Sequence, residues 1–232
     1  MKSFNVLLRP AFAALLLALV ARLPAAYLPP GTPDAVALLA PPPAAGSAED
    51  KFDLDATYTV YTSATPAEIA LGTNENKLTI FHYAPAIGTW FVHGRFPKTE
   101  ALFKEVEAEA KAVTDNAKKF WKRPRPYHLD PARFPHSIEH EDPTHYSYPS
   151  GHSTRGTVFA LLLAELFPEK REAILAEGRE VGWLRVQGGV HYPSDIYAGR
   201  VLGQELARDF LRSPEFQADF AAAKAELAAA GK

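Results

Sequence analysis

Residues 147–168 read SYPSGHSTRGTVFALLLAELFP, a short polar turn followed directly by an apolar run. The run predicts a helix that opens at Ser150 and ends at Pro168, because proline cannot continue a helix. The first turn of a helix leaves backbone N–H groups unpaired and carries a partial positive charge. Gly151 lets an anion approach that backbone closely, and Ser150 can add a hydroxyl donor. The alternative is a plain helix cap followed by a chance histidine, His152.

The remainder of the chain is also predicted to be mostly helical. The clearest helix runs from about Thr99 to Trp121, where apolar residues recur at spacings of three and four and prolines follow the last turn. Further helices are predicted from about Glu169 to Val186, from Pro193 through Phe210, and from Pro214 to Ala230. Strand signals are sparse, and the best of them, residues 57–62, is short. The fold class is therefore predicted to be all-α, a single-domain compact helical bundle.

Composition and charge narrow the classes of function. The 232 residues suit one domain with a substantial core. A formal net charge of −2 suggests neither nucleic-acid binding nor a polybasic membrane patch. The chain has no cysteine, so a disulfide and a thiolate metal site are both excluded.

The N-terminus is predicted to be a targeting segment. Lys2 and Arg9 form a positively charged segment before an apolar run over residues 11–21, and the small residues Ala25 and Ala26 offer a cleavage point. That run is too short to span a bilayer, although an uncleaved anchor is the alternative. We therefore expect a signal peptide over residues 1–26, a Pro- and Ala-rich arm over 27–49 and a helical domain over 50–232, with no stable membrane insertion after signal removal.

Three cations precede or follow the helix at Ser150. Arginine presents a planar fork that matches phosphate oxygens, and lysine presents a point charge. Lys118, Arg125 and Arg185 together would offset a phosphate dianion. Lys118 can instead be surface charge, since it begins the basic segment 118–123. Arg185 stands among apolar neighbours, where a charge needs a partner.

His191 lies in a glycine-rich turn, residues 188–193, immediately before the helix predicted near Pro193. Asp195 follows four residues later, where its carboxylate can fold back towards the imidazole. A carboxylate on one ring nitrogen fixes the tautomer and makes the other nitrogen a better nucleophile. The alternative is that Asp195 simply caps the helix together with Ser194.

The segment 136–145 holds several potential metal ligands. They are His136, Glu139, His140, Glu141, Asp142 and His145. Their spacing matches no established metal signature. We therefore predict no metal site, and a solvated loop that flanks the pocket.

The polar clusters together carry a family resemblance. In order they are Lys118 with Arg125-Pro126, then Pro149-Ser150-Gly151-His152, then Arg185 with His191 and Asp195. This set resembles the type 2 phosphatidic acid phosphatase superfamily, which includes the vanadium haloperoxidases. The nearer resemblance is to bacterial class A non-specific acid phosphatases, through residues 147–153 and 38–43. Three positions depart from the pattern, because Leu184 replaces the usual serine, Tyr146 a glycine and Ser153 a threonine.

The resemblance implies an all-α fold and hydrolysis of small-molecule phosphomonoesters without a metal or other cofactor. In that scheme His191 is the nucleophile, Asp195 orients it and His152 protonates the leaving alcohol. The phosphate is held by Lys118, Arg125, Ser150, Gly151 and Arg185. The optimum should be acidic to near neutral, because one histidine must be neutral and the other protonated. The protein is expected to be periplasmic or secreted, and a homodimer is possible.

Three other functions are compatible with a phosphate cradle. A vanadium-dependent haloperoxidase would use the same residues, but this chain is short for that group. A lipid phosphatase would usually contain several membrane spans. A non-catalytic anion-binding protein would need the cations but not both His152 and the paired His191 and Asp195.

Overall fold

The computed structural model describes residues 26–73, 78–137 and 142–230, and within these ranges the regular secondary structure is entirely helical. The helices are α1 (Ala35–Leu38), α2 (Ala48–Ser63), α3 (Pro66–Thr73), α4 (Ala84–Ile87), α5 (Pro97–Trp121), α6 (Pro126–Leu129), α7 (Gly151–Leu166), α8 (Arg171–Gln187), α9 (Pro193–Arg212) and α10 (Pro214–Ala229). Short 3-10 turns cover Ile80–Tyr83 and Pro168–Lys170. The prediction of an all-α fold is confirmed.

The helix boundaries follow the caps that the sequence offers. Ser150 is the N-cap of α7, and its side chain accepts a hydrogen bond from Ser153 N. Helix α5 begins at Pro97, two residues before the predicted start, and ends at Trp121 as predicted. Lys122 then adopts a left-handed conformation with φ of 52°, which turns the chain towards the next segment.

Residues 57–62, the best of the sparse strand signals in the sequence, lie inside α2. Ser47 caps that helix at its N-terminus. Thr57 and Tyr61, one helical turn apart, are both buried, so helical packing overrides the strand propensity of the segment. The Thr57 hydroxyl donates to the Asp53 carbonyl within the helix.

Helix α7 forms the centre of the fold and packs against α5, α8 and α9. Its side chains Val158, Leu162 and Leu163 are completely buried. Close approach of α9 depends on Gly199, where a Cβ atom would lie 2.7 Å from the Ser150 carbonyl oxygen. Ser150 N also donates to the Asp195 carbonyl at 3.0 Å. These contacts bring the N-termini of α7 and α9 together, and with them two of the sequence motifs.

The arm that precedes α2 lies against the body of the protein. Glu109 on α5 accepts hydrogen bonds from Tyr27 N and Leu28 N, and both of these residues are buried. Tyr148 donates its hydroxyl to the Ala40 carbonyl at 2.5 Å. The arm therefore reaches the helix-entry segment that contains the Pro-Ser-Gly-His motif.

Some sequence-based predictions lie outside the described residues. They are the signal peptide predicted over residues 1–26, of which only Ala26 is described, and the three loop residues Glu139, His140 and Glu141. Of the helices that the structure describes, none has the combination of length and hydropathy that a bilayer crossing requires.

Candidate active site

A cavity of about 740 Å³ opens at the N-terminus of α7. Its wall contains six of the eight predicted site residues, namely Lys118, Arg125, Gly151, His152, Arg185 and His191. Ser150 and Asp195 are completely buried behind this wall. Lys118 and His191, which are 73 positions apart in the chain, therefore line the same space.

His191 has one imidazole nitrogen on a carboxylate and the other beside a cation. Its Nδ1 lies 3.0 Å from Asp195 Oδ2, and its Nε2 lies 3.4 Å from Arg125 Nη1. A carboxylate partner requires the proton to sit on Nδ1, so the lone pair is on Nε2. The ring is only 1% exposed, and the turn that carries it is fixed where Val190 N and His191 N donate to the Arg185 carbonyl.

Asp195 combines the two roles that its sequence position allowed. Its Oδ2 accepts hydrogen bonds from Tyr192 N at 3.0 Å and from the Ser147 hydroxyl at 2.5 Å, besides contacting His191. The first contact caps α9 and the last orients the imidazole. Ser194 does not share the cap, because its hydroxyl donates to Asp53 on α2.

His191 and His152 are both held towards the neutral form. Burial, with the Arg125 and Lys118 charges, holds the pKa of His191 well below its usual range. Burial, with the Arg185 and Arg155 charges, does the same for the pKa of His152. A bound phosphate dianion would reverse the charge contribution, so ligand binding favours protonation of the histidine that lies nearest to it.

Each of the three predicted cations donates a hydrogen bond to a backbone carbonyl group, which orients its side chain. Arg125 Nη1 donates to Val190 O at 2.9 Å, and Arg185 Nη1 donates to Gly72 O at 2.5 Å. Lys118 Nζ donates to Tyr146 O at 2.5 Å. Burial and the nearby Arg125 charge hold the pKa of Lys118 well below its usual range. Lys118 is therefore not a solvated surface charge, and an anion in the cavity would stabilise its charged form.

The sequence of this chain is similar to those of known proteins. The family profile of the PAP2 superfamily matches residues 106–214, a range that contains all eight predicted site residues. A non-specific acid phosphatase from Salmonella typhimurium strain LT2 is 34% identical over 205 residues, which cover 82% of this chain and 78% of that protein. The chain belongs to the PAP2 superfamily. The recognition made from the sequence motifs is thereby confirmed.

Other relatives extend the similarity. A non-specific acid phosphatase from Providencia stuartii is 30% identical over 206 residues, covering 84% of this chain and 81% of that protein. A lipid A 1-phosphatase from Rhizobium etli is 47% identical, but over 57 residues that cover only 25% of either chain. The long matches are therefore to acid phosphatases, and the lipid A 1-phosphatase match is local.

Sequence reasoning missed Arg123 as a residue of this PAP2 site. It was treated as part of a basic segment, yet it is 5% exposed and forms ion pairs with Asp50, Asp53 and Asp195. Nothing in the local sequence separates it from the exposed Lys122. The signal that could have identified Arg123 is the pair Asp50 and Asp53, which lie one helical turn apart and share one face of α2.

His145 lies closer to the PAP2 site than the predicted solvated loop would place it. It is half-buried in the cavity wall, and its carbonyl accepts a hydrogen bond from Arg125 Nε at 3.0 Å. The part of the chain that the structure describes contains no group of three or more His, Asp or Glu side chains arranged to hold a metal ion. Metal-independent action stays a prediction, to be tested with a chelator.

Leu184, which replaces the usual serine, is half-buried beside the cavity. It lines a smaller cleft of about 130 Å³ together with Leu71, Leu78, His152 and Arg185. The substitution therefore exchanges a hydrogen-bond donor for apolar surface next to His152.

Proposed function

We propose that this chain hydrolyses phosphomonoesters through a covalent phosphohistidine on His191 Nε2. The chain is a phosphoric monoester hydrolase of the acid phosphatase type, as its long matches to non-specific acid phosphatases support. The observation that carries the proposed chemistry is the His191 ring, with Nδ1 on Asp195 and Nε2 beside Arg125, in a cavity that His152 also lines.

In the first step the Nε2 lone pair of His191 attacks phosphorus in line. The N–P bond forms as the bond between phosphorus and the ester oxygen breaks, and the electron pair leaves with that oxygen. His152 donates its proton to the oxygen, so that the product is a neutral alcohol. Lys118, Arg125 and Arg185 balance the charge on the equatorial oxygens, with the Gly151 N–H as a further donor. The buried Ser150 hydroxyl caps the first turn of α7, which presents this N–H.

In the second step water attacks the phosphohistidine. His152, now neutral, accepts a proton from the water, and the N–P bond breaks to release inorganic phosphate. Asp195 stabilises the His191 ring while it carries extra positive charge, as the orienting carboxylate of a catalytic triad does. Both histidines return to their starting protonation states, so the cycle is balanced without an external cofactor.

The pH dependence follows from the lowered histidine pKa values. His191 must be neutral to attack, and its lowered pKa keeps it neutral into the acid range. His152 must be protonated in the substrate complex, and its protonated fraction falls as the pH rises. We expect kcat/KM for p-nitrophenyl phosphate to fall on the acid side only below about pH 6.5, which is the ordinary pKa of a histidine. A rate that rises only above neutral pH would contradict the assigned protonation states.

Vanadate tests the whole phosphate-binding site because it adopts the trigonal bipyramidal geometry of the transition state. We expect inhibition by vanadate at concentrations at least about 100-fold below KM for p-nitrophenyl phosphate, the range typical of transition-state analogues. EDTA should leave the activity unchanged. Loss of activity in EDTA that added metal restores would refute metal-independent action. Halide oxidation with vanadate and peroxide, without phosphatase activity, would instead favour the haloperoxidase.

The domain organisation and location are part of the same proposal. The charged start and apolar run of residues 1–26 support a signal peptide, followed by the arm over 27–49 and the catalytic domain over 50–232. The mature protein would then act in the periplasm or medium, with a homodimer as its possible assembly. N-terminal sequencing of the exported protein, with cell fractionation, tests this, and an intact N-terminus in the membrane fraction would refute it.

A further inference from the structure

We propose that Arg123 is a positioning residue for the nucleophile, which holds the Asp195 carboxylate against His191 and is itself held by two aspartates of α2. This inference rests on the proposed function, since it concerns the same histidine. Arg123 does not line the cavity, so it acts through Asp195 rather than on the substrate.

The two oxygens of Asp195 have separate partners. Oδ2 accepts from Tyr192 N, the Ser147 hydroxyl and His191 Nδ1, while Oδ1 accepts from Arg123 Nη1 at 2.9 Å. Asp195 is completely buried, so Oδ1 has no solvent to replace this bond. The Arg123 contact therefore fixes the rotation of the carboxylate that presents Oδ2 to the imidazole.

Arg123 is fixed on its opposite edge by α2. Its Nη2 donates to Asp53 Oδ2 at 2.8 Å and to Asp50 Oδ1 at 3.2 Å. The face of the guanidinium lies over the Tyr192 ring, with Cζ 3.7 Å from the ring centroid. A planar group held along two edges and one face has a defined orientation, which a lysine ammonium could not reproduce.

The network acts on His191 through its charges as well as through its geometry. Burial opposes the charge of Arg123, but Asp195 and Asp53 outweigh it and raise the pKa of the guanidinium above its usual value. The cation therefore persists, and its positive charge opposes protonation of the His191 ring that Asp195 holds. Asp53 partly offsets that cation, so removing the Asp53 charge should act on His191 with the opposite sign to removing Arg123.

Other charged groups that face His191 stay in place in the variants proposed below. They are Lys118, Arg125, His145, His152, Arg185 and Asp195. A shift in the pH profile can therefore be assigned to the network behind Asp195.

The test compares Arg123→Met with Arg133→Met, a matched control. Arg133 also pairs with an aspartate of α2, Asp55, and also stacks on a tyrosine ring, but it does not contact Asp195. For Arg123→Met we expect kcat to fall about 10- to 100-fold, the usual effect of losing an orienting contact behind a catalytic group. KM should change less than about 3-fold because the phosphate-binding cations are intact. Arg133→Met should match the parent protein.

The pH profile separates positioning from a merely structural role. The acid limb of kcat/KM should move up by about half a pH unit or more in Arg123→Met, and down in Asp53→Asn. Asp53→Asn keeps the size and an acceptor, so it carries the test if Arg123→Met does not fold. Arg123→Lys should recover part of the activity, since it keeps the charge but not the fork.

Three results would overturn the inference. They are equal kcat values for Arg123→Met and Arg133→Met, an acid limb that moves in neither variant, and shifts of the same sign in Arg123→Met and Asp53→Asn. Phosphatase activity that survives His191→Ala would instead overturn the proposed function, so the two failures are distinguishable.

Discussion

The His191→Ala protein is expected to lose phosphomonoesterase activity by about 10⁴-fold or more, because no other group can take the place of the attacking nitrogen. The fold should survive this change. Asp195 would still accept hydrogen bonds from Arg123, Ser147 and Tyr192 N, so no buried carboxylate is left unpaired. The measurement is kcat for p-nitrophenyl phosphate alongside thermal unfolding.

An exposed histidine provides the control for that experiment. His136→Ala changes a histidine that does not line the cavity and should behave as the parent protein. Rapid quenching of the parent enzyme at alkaline pH should also trap a phosphoryl group on the peptide that contains His191. Full activity in His191→Ala, or a phosphoryl group found on His152 instead, would refute the nucleophile assignment.

Replacement of His152 by alanine is expected to cost about 10²- to 10⁴-fold in kcat on a substrate with a poor leaving group, such as glycerol phosphate. On p-nitrophenyl phosphate the rate at which His191 is phosphorylated should fall much less, because nitrophenolate leaves without being protonated. Hydrolysis of the phosphohistidine would still lack its base, so a burst of nitrophenol should precede a slow steady state.

The comparison between substrates makes the His152 prediction specific. A residue that only shapes the cavity would lower both rates by the same factor and give no burst. Equal losses on glycerol phosphate and p-nitrophenyl phosphate in pre-steady-state measurements would therefore refute the general acid assignment. His136→Ala again serves as the control, since it should alter neither rate.

The main helices could be predicted from the sequence because their signals are local. The apolar spacing in α5, the Ser150 cap of α7 and the proline at the start of α9 each act within a few residues. The threonines of residues 57–62 favour strands in isolation, yet the segment is helical, because the buried face of α2 is defined only by the segments packed against it.

The members of the candidate site could also be named from the sequence, but not their arrangement. Motif spacing indicated the three cations, both histidines and Asp195. It did not show that Ser150 and Asp195 lie behind the cavity wall, that His145 lies in it, or that Leu184 faces a small apolar cleft. These outcomes depend on where each helix end meets its neighbours.

By itself the sequence determined that this protein is helical and named the residues that are proposed to carry its phosphate chemistry, because period, caps and motif spacing are properties of neighbouring residues. Only the tertiary structure decided that Arg123 is buried between Asp195 and two aspartates of α2 rather than exposed as a surface charge. A charge is stable inside a protein only when partners surround it, and the partners of Arg123 are separated from it by about 70 residues on either side in the chain. No local pattern can contain that information.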